Sequence, residues 1–72
     1  MRVSKFWELM DDEFGASYAG HLARNHHLRA LGGRTVLAAL ETESPRAVWF
    51  ALCDDMEVPE ERRFGRDDAA AR

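Results

Sequence analysis

The sequence has only one cysteine, Cys53, among its 72 residues. No disulfide can form within the chain, which excludes the cross-links that hold many small secreted domains together. We therefore expect a reducing, cytoplasmic setting. The chain also lacks an apolar run near the roughly 18 residues that a membrane-spanning helix needs, and its first residues become charged too early for a secretory signal. We expect no membrane association.

Basic residues are too few for a protein that binds nucleic-acid phosphates by charge alone. Lys and Arg number 10 against 13 Asp and Glu, which gives a net charge of -3. The charges are unevenly distributed, because residues 15–34 contain no acid but hold three arginines and all three histidines. Residues 1–14 and 35–58 are net acidic. A basic segment therefore lies between two acidic ones.

The length and composition predict one small folded domain. The apolar fraction of 46% and the charged fraction of 32% are those of a globular protein. A chain of this size can bury roughly 60% of the surface that its unfolded form exposes. We expect a single helical domain over residues 1–65 and a disordered tail over residues 66–72, because the tail has no large apolar side chain to bury.

Apolar residues recur at helical spacing in four segments. Ser4 is the predicted N-cap of the first helix, and Gly15 is placed to end it. Gly32-Gly33 breaks the chain again, because adjacent glycines disfavour a helix interior. Ser44 followed by Pro45 predicts the start of the best-defined helix. The predicted helices cover residues 5–14, 16–26, 34–42 and 45–57, with a further helical turn over residues 59–65.

The fold class predicted from this pattern is all-α, a small bundle of three to four short helices. Helices three and four, joined through residues 41–44, also have the length of a helix-turn-helix. The second of them would offer DNA only Arg46 near its start and ends in Asp54 and Asp55, which phosphates repel. DNA reading is therefore the weaker interpretation of this helix pair.

No set of residues supplies the nucleophile, base and oxyanion donor of an enzyme. Cys53 lies on the apolar side of the fourth helix, next to acids of the wrong charge to activate a thiol, and is expected in the core. His21 and His26 would point about 140° apart on a helix, which disfavours a shared metal ion. We expect a protein without catalysis, cofactor or metal.

Two further groups of residues have expected structural roles. Asp11, Asp12 and Glu13 end the first helix, where the helix dipole disfavours negative charge, so ion pairs with the basic segment are expected. Trp7 and Trp49 lie on apolar stripes and are expected in the core. If either indole were exposed, it would mark a partner surface.

Several short motifs resemble a known family. They are Phe6-Trp7, Leu31-Gly32-Gly33-Arg34-Thr35 and Val48-Trp49. With these motifs the chain resembles, over about residues 1–63, a family of short proteins from high-GC Gram-positive bacteria known only as a domain of unknown function. The resemblance implies a small helical bundle and an intracellular setting. It implies no activity, cofactor or catalytic residue.

The basic segment around residues 21–34 gives the leading functional hypothesis, a non-enzymatic protein-interaction module. Its partner would be an acidic protein or a second copy of the chain. The alternative is a nucleic-acid-binding regulator that uses helices three and four. The residues predicted to bind the partner are Arg24, His26, His27, Arg29 and Arg34.

Overall fold

The computed structural model describes residues 1–64 of the chain, which form a mostly helical domain with one small antiparallel sheet. The prediction of a small helical bundle is confirmed, and the tail predicted over residues 66–72 lies outside the described residues. The helices are α1 (Val3–Phe14), α2 (Ala16–Asn25), α3 (Val36–Ala39) and α4 (Pro45–Asp55). The strands are β1 (His27–Leu28) and β2 (Arg34–Thr35), and two 3₁₀ turns cover Arg29–Leu31 and Glu60–Arg62.

Trp49 of α4 lies in the core, which receives residues from all four helices and β1. The Trp49 side chain is fully buried, and the rings of Phe6 and Phe14 meet it edge to face at centroid distances of 6.0 and 6.2 Å. Its indole Nε1–H donates to the carbonyl of Arg63 at 2.6 Å, so its one polar atom is satisfied. The other largest buried side chains are Phe6, Leu9, Met10, Leu28, Leu52, Val36, Val48 and Cys53.

A single glycine separates α1 from α2. Gly15 has φ +88° and donates its N–H to the Asp11 carbonyl at 2.9 Å, which ends α1 as predicted. The start of α1 differs from the prediction, because Arg2 rather than Ser4 is the N-cap. The Phe6 N–H reaches the Arg2 carbonyl at 3.0 Å, so the helix begins two residues earlier than predicted and Ser4 lies inside its first turn.

The prediction of a helix over residues 34–42 is wrong at both ends. Arg34 and Thr35 form β2, which pairs with β1 in the register His27 to Thr35 and Leu28 to Arg34. Gly32 and Gly33 have φ values of +73° and +75°, a backbone geometry that glycine adopts without steric cost. The α3 helix then begins after Thr35, whose Oγ1 accepts the Ala38 N–H at 3.2 Å.

The start of α4 is confirmed, and its end lies two residues earlier than predicted. Ser44 Oγ accepts the Ala47 N–H at 3.1 Å, and Pro45 is the first helical residue. At the other end Glu57 has φ +56°, and the buried Val58 donates its N–H to the Cys53 carbonyl at 2.9 Å. This left-handed turn closes the helix after Asp55.

Two other helical segments are shorter than predicted. The α2 helix ends at Asn25 rather than at residue 26, because His26 adopts an extended backbone with ψ 129° that leads into β1. The helical turn predicted over residues 59–65 is a 3₁₀ turn over Glu60–Arg62. Pro59 precedes that turn in an extended conformation, with ψ 147°.

Candidate interaction surface

The five residues predicted to bind a partner lie on the continuous segment from the last turn of α2 to β2. In chain order they occupy the end of α2, the residue that follows it, β1, the first 3₁₀ turn and β2. The structure separates them by their contacts. The side chains of His26 and Arg34 hold other elements in place, and that of His27 closes the loop of its own hairpin. The side chains of Arg24 and Arg29 point into solvent.

His26 joins the basic segment to the end of α4. Its Nε2–H donates to Asp55 Oδ2 at 2.9 Å, and the backbone N–H of Arg29 donates to the same oxygen at 3.2 Å. Burial of the Asp55 carboxylate favours its neutral form, but the hydrogen bonds from His26 and Arg29 favour the charged form and bring its pKa below the usual value. Asp55 thus fixes the backbone on which Arg29 lies.

Arg34 holds β2 against the loop that precedes α4. Its Nε donates to the Leu31 carbonyl at 3.0 Å, and its Nη2 donates to Glu43 Oε2 at 3.0 Å. The remaining Nη1 donates to the Thr42 hydroxyl. All three guanidinium nitrogens therefore have internal partners, a use for which the planar arginine fork is suited. A partner protein would have to compete with these contacts.

His27 fastens the hairpin loop. Its Nδ1–H donates to the Gly33 carbonyl at 2.7 Å, and the residue is otherwise exposed. The bond fixes the ring's orientation, and in the neutral imidazole it places the proton on Nδ1. His27 Nε2 is then the nitrogen left to accept a hydrogen bond from a partner.

Arg24 and Arg29 present their guanidinium groups to solvent. Both residues are exposed, and neither forms an ion pair with any residue from 1 to 64. The Arg24 guanidinium lies over Gly20, one helical turn earlier, with Nη1 3.2 Å from where a Cβ would stand. Arg24 therefore follows the outer face of α2, whereas Arg29 projects from a backbone held by Asp55.

The residues predicted to bind a partner do not include three other exposed residues of α2, Tyr18, His21 and Asn25. Tyr18 is 48% exposed, and its ring centroid lies 5.7 Å from that of His21. Asn25 Nδ2 donates to the His21 carbonyl at 2.8 Å and to His21 Nδ1 at 3.3 Å, which orients the imidazole. The spacing of Tyr18, His21 and Asn25 is the feature of the sequence that indicates this face, since positions i, i+3 and i+7 lie on one side of a helix.

The predicted ion pairs between the end of α1 and the basic segment do not form. Glu13 instead pairs with Arg62 after α4, with Arg62 Nη2 3.0 Å from Glu13 Oε2. Asp11 and Asp12 are exposed and have no ion pair among residues 1–64. The basic segment packs toward α4, and that packing brings Asp55, rather than the acids of α1, to its basic side chains.

Cys53 and Trp49 have the core positions expected of them, whereas Trp7 lies at the edge of the core. Cys53 is buried, and burial, countered in part by the charge of Arg63, raises the pKa of its thiol to about 12. Trp49 is fully buried, and Trp7 is half-buried against the core with its ring 5.3 Å from that of Phe6. Neither indole is widely exposed.

The pair α3 and α4 differs from the predicted helix-turn-helix in its first member, which is a single turn of four residues. On α4, Arg46 lies 5.1 Å from the ring centroid of Phe50, and Asp54 pairs with Arg63 at 2.9 Å. Five of the eleven residues of α4 are buried and cannot contact a DNA groove. Its buried residues are Val48, Trp49, Ala51, Leu52 and Cys53.

In the part of the chain that the structure describes, no helix is long and apolar enough to cross a membrane, and no three His, Cys, Asp or Glu residues could hold a metal ion. Searches of the curated proteins and of the solved structures return no match to the chain. A family model described as "Protein of unknown function (DUF3046)" matches residues 1–61. The match spans most of the sequence, and the chain therefore belongs to this family.

Proposed function

We propose that the protein is a non-enzymatic interaction module that binds an acidic protein surface through Arg24 and Arg29. The observation that supports this most is the absence of any ion pair to either side chain from residues 1–64, although the chain is net acidic. A cation left in solvent by its own fold is available to a partner's carboxylates.

Rigidity of the backbone beneath these cations supports the same proposal. Arg29 is anchored through Asp55, and Arg24 lies in the last turn of a regular helix. Binding groups on a fixed backbone lose less conformational entropy when a partner arrives. His27, whose ring is already oriented by Gly33, can accept a hydrogen bond at Nε2 from a donor on the partner. His26 and Arg34 position this surface through their contacts with Asp55 and Glu43.

The cytoplasmic setting belongs to the same proposal. Cys53 is a free, buried thiol with its pKa raised by burial, a state that a reducing compartment maintains without difficulty. A binding protein of this size needs no active site, and the polar contacts described above are structural.

The test is affinity capture from a lysate of the source organism with the tagged chain and with the Arg24→Ala, Arg29→Ala double variant. We expect the double variant to lose a partner that the unchanged chain retains at low salt. Arg46→Ala is the matched control, because Arg46 is an exposed arginine elsewhere on the molecule. Equal recovery by the double variant and the control would overturn the proposal.

A nucleic-acid partner is a separate outcome of the same experiment. If the captured material were nucleic acid, an electrophoretic shift at low ionic strength would disappear steeply as salt is raised. The helix-turn-helix alternative would then require Arg46→Ala to weaken the shift more than Arg24→Ala does. No shift with any nucleic acid at low salt would eliminate the alternative.

A further inference from the structure

The α1 helix carries an acidic face that the rest of the described chain leaves unpaired. Glu8, Asp11 and Asp12 are exposed, lie at positions i, i+3 and i+4, and form no ion pair with residues 1–64. Lys5, half-buried and three residues before Glu8, forms no ion pair with residues 1–64 either. Asp11 and Asp12 also stand in the last turn, where the helix dipole disfavours negative charge. A cation from outside would relieve both effects.

The α2 helix carries a face of complementary character. Its outer side presents the exposed ring of Tyr18, the imidazole of His21 and the guanidinium of Arg24. Asn25 Nδ2 donates to His21 Nδ1, so the neutral imidazole has its proton on Nε2. The Nε2–H is then available to donate to a partner. Arg29 adds a second unpaired cation shortly beyond the end of this helix. Every polar group here donates to, or attracts, a carboxylate.

We infer that the α2 face, Tyr18, His21 and Arg24, together with Arg29 beyond the end of the helix, binds the acidic α1 face of a second copy of the chain. This inference rests on the proposed function and names its acidic partner. A reciprocal pairing would use both faces of both copies, since in a two-fold dimer residue i of one copy meets residue j of the other and the reverse. Charge complementarity selects the second copy as the occupant.

The aromatic ring is needed as well as the charges. Exposed ion pairs contribute little on their own, because water and salt screen them. Tyr18 supplies a large, rigid apolar contact, and tyrosine and arginine are, with tryptophan, the residue types enriched among the residues that dominate interface affinity. The association is therefore expected to be weak, salt-sensitive and dependent on Tyr18.

The test is sedimentation equilibrium of the full chain at low ionic strength, up to about 1 mM protein, followed by the same measurement at high salt. We expect a dimer that dissociates as salt is added. Two charge-reversed variants should each weaken the dimer by about tenfold or more, because like charges then face each other. They are Arg24→Glu with Arg29→Glu, and Asp11→Arg with Asp12→Arg.

Mixing the two charge-reversed variants in equal amounts is the decisive step. In the mixed dimer each reversed face meets a face of opposite charge, so association should return to near that of the unchanged chain. Tyr18→Ala should weaken the dimer without altering its salt dependence. Arg46→Glu, an exposed reversal on α4, is the control and should leave the dimer unchanged.

Circular dichroism establishes that each variant is folded. If a reversed variant does not fold, the neutral pairs Arg24→Gln with Arg29→Gln and Asp11→Asn with Asp12→Asn replace it, and both must weaken the dimer. A monomer at all concentrations, or no recovery on mixing, would overturn the inference. A monomeric chain that still captures a protein through Arg24 and Arg29 would leave the proposed function standing and refute only the second copy as partner.

Discussion

His26 Nε2 and Asp55 Oδ2 lie 2.9 Å apart and connect residues 29 positions distant in the sequence. The contact closes the end of α2 against the end of α4. It also accounts for the position of Arg29, whose backbone N–H uses the same carboxylate oxygen. The position of the solvent-facing Arg29 therefore depends on one partly buried acid.

Replacing Asp55 with Asn is expected to destabilise the fold by about 1 to 3 kcal/mol at neutral pH, because charged hydrogen bonds to His26 and Arg29 are lost. The pKa of Asp55 is lowered in the folded state. Its stabilisation is therefore full above the ordinary value of 3.8 and is lost as pH falls through the folded-state pKa. Urea unfolding between about pH 2 and 6 should show a shallower acid dependence for the variant. Parallel curves would contradict this.

Arg34→Lys should destabilise the protein by about 1 kcal/mol, because a lysine cannot bond Leu31, Thr42 and Glu43 together. The loss is small because the Arg34 and Glu43 side chains are each 37% exposed and water screens their ion pair. Arg24→Lys is the control and should alter the free energy of unfolding by less than about 0.5 kcal/mol. Equal effects of the two changes would refute the structural role of Arg34.

The thiol of Cys53 should be protected in two measurable ways. Because burial raises its pKa to about 12, alkylation near neutral pH should proceed only through unfolding, far slower than for the denatured chain. Above pH 9 the unfolded thiol loses its proton while the folded one keeps it, so this residue lowers stability as pH rises toward 12. Cys53→Ala should flatten that alkaline decline. Rapid alkylation of the native protein would contradict the prediction.

Glu57→Gly should stabilise the protein by about 0.5 to 1 kcal/mol. A non-glycine residue in the left-handed region costs about 1 to 2 kcal/mol, which the glycine variant avoids. The greater conformational freedom of glycine in the unfolded chain offsets part of this gain in stability. Glu57 has φ +56° at the end of α4, where glycine is the usual residue. Glu57→Ala keeps a Cβ on the left-handed backbone and should therefore give no such gain in thermal unfolding. A loss of stability in the glycine variant would argue against this turn.

Local patterns in the sequence predict the long helices well. Ser44 and Pro45 mark the start of α4, and Gly15 marks the end of α1, because each is a residue whose own chemistry begins or stops a helix. The small sheet is different, since two-residue strands show no periodicity. The helix predicted over residues 34–42 consequently includes Arg34 and Thr35, although the break before them at Gly32 and Gly33 is predicted correctly.

The sequence likewise revealed only part of the candidate surface. The scarcity of acids between residues 15 and 34 marks the basic segment, but charge counts cannot tell an engaged arginine from one in solvent. Arg34 and Arg24 have the same side chain, and only the distances to Glu43 and Thr42 separate their roles. Tyr18 was overlooked because it reads as one more apolar residue of α2.

The sequence by itself determined the helical character, the single free thiol, the glycine breaks and the alternation of acidic and basic segments, because these depend on residues close together in the chain. Tertiary structure alone decided that Asp55 binds His26, that Glu13 turns to Arg62, and that Arg24 and Arg29 are left to solvent. The physical reason is distance along the chain. Contacts between remote residues exist only after the core around Trp49 has brought their helices together.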